Sequence, residues 1–478
     1  MMVLWKEYFN LLPEIFLVAS SILGLALALF LKEKRHNFSF NWSIVTLLLS
    51  CIGFVAIQKN ECINEFFMCS QFTYLIKILI VFVGALIIFF IKDFSVTEDT
   101  DRFEYPFLIC LAIFGMLIMI NASNLFSMFM GLELQNLCLY TIACLKRDSG
   151  KVTEASIKYF VFSSIASAVM IFGISIIYGI VGSLNYKDLA ILLTNDIKNT
   201  AVIIGFLLVI IGLMFKISLF PFHSWLPDLY EALPSSVSIF VVSIPKLSAL
   251  IALINLCFYP LTQFKDLISI TLIIFSLFSM IFGALLTLKQ SNFRRLLGYS
   301  AISNSGFALI GLLSFTASGV ESAVIYSIIY TLSTIGIFAC LLFLSNKNYN
   351  IDQIKDLKNI KFNHPIISII IVFLLFSIAS IPPFPGFFAK LYVLEEVLSK
   401  KFYFVILIAI ISSIISAYYC LVAIKEITLD KSEQKTMERQ RSYQDFKTGV
   451  AILVIVFLII VFAFCPNCIQ FYKNLLLY

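Results

Sequence analysis

The sequence runs to 478 residues, 60% of them hydrophobic and 13% charged, with a net charge of +6 and a mean hydropathy of +0.99. Soluble domains are about 45–50% apolar and about 25% charged, so these values exclude an ordinary soluble domain and assign the chain to the membrane class. Apolar runs recur along the whole length and leave no polar segment long enough for a soluble domain.

A transmembrane helix needs about 20 mainly apolar residues. Fourteen such spans follow one another, at residues 11–31, 41–57, 71–91, 105–120, 124–144, 157–181, 201–221, 234–257, 267–288, 296–313, 320–345, 364–399, 402–424 and 448–470. The first has no small-residue cleavage site after it and reads as a helix, not a removable signal. The seventh runs into Phe220-Pro221-Phe222-His223, and the twelfth is interrupted by Ile381-Pro382-Pro383-Phe384-Pro385-Gly386. Proline inside a helix removes a backbone hydrogen bond and clashes with the preceding turn, so both spans are expected to break.

Lys and Arg are retained on the cytoplasmic or matrix side of a membrane. Of the 34 Lys and Arg, 22 fall in or at the edge of odd-numbered loops (Lys158, the second residue of the sixth span, among them) and 8 in even-numbered loops and the two ends. The bias fits an even number of spans with both termini on the outer side. It also accounts for the positive net charge without a nucleic-acid partner. The remaining four bases, Lys77, Lys216, Lys246 and Lys390, lie inside spans, and none is Arg. Among acids, Glu133 is the one near the middle of a span.

A charge at mid-membrane costs at least about 2.5–3.5 kcal/mol, which makes these residues functional candidates. Burial lowers the pKa of a lysine enough for proton exchange near neutrality, whereas arginine stays charged. The bland alternative is a lysine that snorkels to the interface or sits in a structural ion pair. Lys77, six residues into its span, fits that alternative best. Lys216 precedes Pro221 by five residues and Lys390 follows Pro385 by five. Broken helices bearing ionisable groups mark ion sites in transporters, often in paired inverted repeats. The 174 residues between Lys216 and Lys390 correspond to five spans, an odd number, so a repeat with that offset is inverted. The fold expected is therefore an all-α polytopic membrane protein of about fourteen transmembrane helices, with two inverted five-helix repeats and broken helices 7 and 12. Its divisions are residues 1–104 (helices 1–3), 105–257 (first repeat), 258–426 (second repeat) and 427–478 (inner loop and last helix).

Glu133 shifted by the same offset lands near Ser303–Phe307, a polar stretch without a carboxylate. Supporting roles fall to Ser303, to His223 as a relay or a loop cap, and to Tyr326, Tyr330, Ser333 and Thr334, which hold water or pack helices by their hydroxyls. The eleven cysteines are scattered, and Cys465 and Cys468 have no second pair or histidine nearby. No cysteine cluster suggests an iron–sulfur centre, and no glycine-rich fingerprint suggests a flavin or nicotinamide site.

Met130-Gly131-Leu132-Glu133-Leu134-Gln135-Asn136-Leu137-Cys138-Leu139-Tyr140 resembles the fifth-helix motif of subunit N (chain 2) of respiratory NADH–quinone oxidoreductase, complex I. Phe215-Lys216, Pro221 to Asp228, Ala232 to Ser238, Pro245-Lys246 and Gly386 to Lys390 resemble motifs of the same antiporter-like family. Leu12-Pro13-Glu14 and Glu154-Ala155 with Lys158-Tyr159-Phe160 complete a resemblance that covers nearly the whole chain. It implies that Glu133 and Lys216 form a switching pair, Lys246 a central relay and Lys390 a terminal proton donor. Asn304 departs from the pattern, because many relatives carry histidine there. The resemblance further implies a proton-pumping subunit driven by NADH-to-ubiquinone electron transfer elsewhere. NADH, flavin, iron–sulfur clusters and ubiquinone would belong to the wider complex, with no cofactor in this chain. Partners would be the other membrane-arm subunits, lipid, and protons as the transported species. The phenylalanine-rich, tryptophan-poor composition suits an organelle genome and hence the mitochondrial inner membrane, with a bacterial plasma membrane as the alternative. Two other readings stand beside this one: a subunit of a cation/proton antiporter without redox coupling, and a scaffold with structural lysines.

Overall fold

The structure is a computed structural model, and it describes residues 10–31, 34–57, 62–63, 65–192, 200–345, 351–358, 360–429 and 443–464. Cys465 and Cys468 lie outside the described residues, as do Lys431, Lys435, Arg439 and Arg441 of the charged inner loop. Among the described residues, eleven helices are long and apolar enough to cross a membrane. Three shorter apolar helices, Tyr105–Asn121, Pro365–Ala379 and Ala451–Ala463, bring the spans to the fourteen expected.

The chain divides into two compact units. Among the described residues, one holds the chain to Ile217 together with Ile244–Ile268, and the other holds Ser218–Ser243 and the chain from Ser269 to Phe464. The chain thus leaves the first unit at the break after Lys216 and returns to it just before Lys246, within the eighth span.

The first unit contains α1 (Leu12–Phe30), α2 (Arg35–Ile57), α3 (Gln71–Phe94), α4 (Tyr105–Asn121), α5 (Leu125–Ala143), α6 (Gly150–Val181), the short α7 (Tyr186–Leu192), α8 (Thr200–Ile217) and, after the excursion, α11 (Ile244–Phe258). Prolines in the first turns of α1 and α4 lack the amide hydrogen those positions leave unbonded. Asn124 caps α5 by accepting from the Phe126 amide. A two-stranded antiparallel hairpin, β1 (Cys62–Ile63) and β2 (Met68–Cys69), lies between α2 and α3. α6 and α8 pack at a glycine crossing, where a β-carbon on Gly173 would stand 2.5 Å from the Gly205 carbonyl oxygen. α11 packs against α4 and α8, and every residue on it is buried.

The second unit contains α9 (Trp225–Ala232), α10 (Ser235–Val241), most of α12 (Lys265–Thr287), α13 (Phe293–Ile310), α14 (Ala317–Leu344), the one-turn α15 (Ile360–Asn363), α16 (Pro365–Ala379), α17 (Pro385–Ser399), α18 (Tyr403–Thr428) and α19 (Tyr443–Phe464). α14 is its core helix and packs against α10, α13, α16, α17 and α19.

Both expected breaks are present. α8 stops at Ile217, and Ser218 takes a left-handed conformation with φ 69°. α16 stops at Ala379, and Ser380 takes the same conformation with φ 56°. Each serine is followed three residues later by a proline, Pro221 or Pro383, so the two breaks repeat with an offset of 162 residues. That differs from the 174 residues separating the lysines, because Lys216 precedes its break and Lys390 follows its own. A third interruption was not expected. The eighth span is two helices, α10 and α11, separated at Val242 and Ser243, where Pro245 cannot donate into a continuous helix.

Candidate functional site

In the first unit, Lys216 stands in the last turn of α8, 2% exposed. Its ammonium donates to the Asn136 side-chain oxygen and, at 2.9 Å, to the Tyr159 hydroxyl. It also lies 5.5 Å from the centre of the Tyr159 ring. Glu133 is partly buried one turn before Asn136 on α5, on the same helix face. Its Oε1 is buried without a hydrogen-bond partner among the described residues. The hydrogen-bond partners of Lys216 are Asn136 and Tyr159, not Glu133. Asn136 takes the contact that an ion pair with Glu133 would make.

A crevice beside Lys216 is lined by Leu132, Asn136, Ser163, Ser167, Met170 and Gly212, among others, and is too narrow here to hold a water molecule. The Ser167 hydroxyl is buried there without a partner among the described residues. Lys246 is buried in the first turn of α11. Two residues on, the Ser248 hydroxyl reaches the Gln135 side-chain oxygen at 3.4 Å, next to Asn136 on α5. Polar groups thus run from Glu133 through Gln135 and Asn136 to the helices carrying Lys216 and Lys246.

Lys77 is fully buried on α3 and pairs with Glu14 of α1 at 2.7 Å. The structural ion pair, one of the two alternatives that Lys77 fitted best, is thus present, with a partner 63 residues away in sequence.

In the second unit, Lys390 is buried on α17. Its ammonium donates to the Ser413 hydroxyl at 3.3 Å and lies 4.4 Å from the centre of the Phe307 ring. Among the described residues no carboxylate pairs with it. Gly386, one turn earlier, is required at the break: a β-carbon would stand 1.9 Å from the Ser377 carbonyl oxygen. Asn304 of α13 is the centre of a hydrogen-bond cluster. The Tyr326 hydroxyl donates to its side-chain oxygen at 2.7 Å, and its amide donates to the Ser300 carbonyl at 2.9 Å and hydroxyl at 3.2 Å. The Tyr419 hydroxyl donates to the Ser300 hydroxyl at 2.8 Å. Tyr330 lies against Asn304, Ser300 and Thr334. Ser303 faces the other way and donates weakly to the Met280 carbonyl of α12 at 3.4 Å.

His223 lies in the connection after the first break, outside the membrane-spanning helices. Its ring stacks on Phe220 at 5.3 Å, and burial pushes its pKa below the ordinary value. The connection is held by α13. Arg295 bridges Glu231 at 2.7 Å and Asp228 at 3.1 Å, and the buried Arg294 donates to the Leu233 carbonyl at 3.0 Å.

Residues 122–416 match the family described as NADH:quinone oxidoreductase/Mrp antiporter, transmembrane. NADH-quinone oxidoreductase subunit N of Parvibaculum lavamentivorans is 36% identical over 432 residues, covering 90% of this chain and 89% of that protein. Subunit N of Pelagibacter ubique is 35% identical over 427 residues, covering 89% of this chain and 90% of that protein. The chain belongs to the NADH-quinone oxidoreductase subunit N family.

The same fold occurs in a chain of respiratory complex I from Thermus thermophilus, with a TM-score of 0.80 at 22% identity over 95% of this chain and 98% of that one. It also occurs in a chain of the Mrp complex from Dietzia sp., with a TM-score of 0.84 at 18% identity over 98% of each chain. The fold is therefore common to chains of respiratory complex I and of the Mrp complex. Asn136 and Tyr159 are the partners of Lys216 that residue types alone did not single out. Both stand within the subunit N motifs, and the i, i+3 spacing of Glu133 and Asn136 on one helix face was the available signal.

Proposed function

We propose that this subunit N-family chain moves protons across the membrane as a membrane-arm subunit of NADH:quinone oxidoreductase. Electron transfer from NADH to ubiquinone takes place in other subunits and drives the movement. One observation carries the proposal. Lys216 and Lys390 are buried in apolar spans and held by neutral groups: Asn136 and Tyr159 for the first, Ser413 and the Phe307 ring for the second. An ammonium pinned by a carboxylate stays charged, whereas one held by amides and hydroxyls can release its proton when the local field changes. Glu133 stands one turn from Asn136 on α5, and a carboxylate near an ammonium favours its charged form. Movement of Glu133, or its protonation, would let Lys216 discharge. Lys246 on α11 takes the central relay role, and Lys390 the terminal one.

The redox groups belong to the wider complex, and the partners of this chain are the other membrane-arm subunits and lipid. The mitochondrial inner membrane is the location proposed on composition. The bacterial plasma membrane is the alternative, favoured by the bacterial relatives. The test is NADH-driven proton uptake by closed vesicles containing the whole complex, with Lys246→Met compared to wild type at matched assembly. Reduced uptake is expected. Full uptake at normal complex content would remove Lys246 from the path, and sodium-dependent transport without NADH would favour the antiporter reading.

A further inference from the structure

The Glu14–Lys77 pair lies in the first unit, apart from the lysines assigned to the path. Glu14 is 4% exposed and Lys77 is 0% exposed. The carboxylate is unevenly satisfied. Its Oε1 accepts from both the Lys77 ammonium at 2.7 Å and the Asn121 amide at 3.2 Å, while Oε2 is buried with no donor among the described residues. The side-chain oxygens of Asn121 and Asn10 are also buried without donors among the described residues. An ion pair built only for stability would engage both carboxylate oxygens, since each buried acceptor left without a donor is costly. A proton on Glu14 would occupy the empty position. Lys77 would keep support when Glu14 is neutral, because its ammonium also lies 4.7 Å from the Tyr74 ring centre and 5.2 Å from that of Phe54.

The location matters as much as the chemistry. Glu14 is in the first turn of α1, Lys77 in the first half of α3, and Asn121 is the last residue of α4. All three sit toward the even-loop ends of their helices, the side poor in Lys and Arg. There Asn255, near the end of the helix that carries Lys246, donates to the Ile120 carbonyl at 2.9 Å. Hydrogen bonds therefore tie α11 to the residue next to Asn121, and Asn121 to Glu14.

The geometry points to Glu14, held by Lys77 and Asn121, as a proton-exchange site at the even-loop end of the first unit. It exchanges protons of the first unit and leaves the terminal role in the second unit to Lys390. The inference rests on the proton-transport reading above. Glu14 as carboxylate accepts one proton, Lys77 remains an ammonium throughout, and release of the proton restores the ion pair.

The test compares protons moved per NADH oxidised in closed vesicles of the assembled complex for three variants. Lys77→Arg supplies a planar fork that engages both carboxylate oxygens and holds Glu14 ionised. The double variant Glu14→Leu with Lys77→Met removes both charges together, a change that buried pairs tolerate. Lys246→Met is the control for the path itself. Fewer protons per NADH in Lys77→Arg and in the double variant, at matched assembly, is the expected result. Wild-type ratios in both, with Lys246→Met deficient, overturn the Glu14 site and leave the transport reading standing. Wild-type ratios in all three overturn both. Should the double variant fail to assemble, Lys77→Arg decides alone, since it preserves the charge pair.

Discussion

The Lys216 ammonium is hydrogen-bonded to Asn136 and not to Glu133, although Glu133 stands one turn away on the same helix. On the proposed mechanism, Asn136 is the neutral partner that leaves Lys216 free to release its proton. Asn136→Asp would place a carboxylate on the ammonium and fix it in the charged state. Proton transport per assembled complex is expected to fall about tenfold or more, since a charged hydrogen bond contributes about 1.5–3 kcal/mol. Asn136→Ala should also impair transport, by leaving the ammonium on Tyr159 alone. Transport at the wild-type rate in Asn136→Asp would mean that Lys216 does not discharge during turnover.

Gly386 approaches the preceding helix so closely that any side chain collides with the Ser377 backbone. Overpacking against backbone costs about 1–3 kcal/mol or more. Gly386→Ala is expected to lower the amount of assembled complex and its thermal stability. Normal yield and stability would contradict the close approach that defines the break before Lys390.

In the second unit, the Tyr326 hydroxyl is the donor that satisfies the buried Asn304 oxygen. Tyr326→Phe leaves that acceptor unpaired, at a cost of about 1–3 kcal/mol. Lower thermal stability is expected, measured on the detergent-solubilised complex. Asn304→His, by contrast, places a titratable ring at the centre of the Ser300–Tyr419 cluster and is expected to retain proton transport. Loss of transport in Asn304→His with normal assembly would show that the amide itself is needed.

The His223 pKa is lowered by burial, so the unfolded chain binds that proton more readily than the folded one. Stability from the neutral imidazole is present above the unfolded value, about 6.5, and is lost as pH falls through it toward the folded value. His223→Gln is therefore expected to flatten the acid-side loss of thermal stability below about pH 6.5. An unchanged slope would show that His223 is solvated in the folded protein.

The ionisable residues and the two main breaks were legible in the sequence because lysine and proline are costly in apolar helices, so their presence carries information. Span number was legible for the same reason: hydropathy and basic-residue bias act over whole segments. Asn136, Tyr159 and Asn304 were harder to read, because a neutral polar residue in a membrane helix packs as readily as it relays. The Lys77 partner was not legible, since the pairing with Glu14 depends on how α1 and α3 meet. The interruption before Lys246 was also missed. Ser243 and Pro245 break the eighth span without the dense proline cluster that marks the twelfth. The repeat offset was read from the lysines, whereas the backbone repeats at the serines and prolines of the breaks.

The most direct test of proton exchange at Lys216 is Lys216→Arg. Arginine keeps the charge and can donate to Asn136 and Tyr159, but it does not release its proton under physiological conditions. NADH-driven proton uptake, measured in vesicles at matched assembly, is predicted to fall at least about tenfold, corresponding to about 1.4 kcal/mol or more on the limiting step. Wild-type uptake in Lys216→Arg would contradict the account, because a side chain that cannot discharge would then be doing the work assigned to an exchanging lysine.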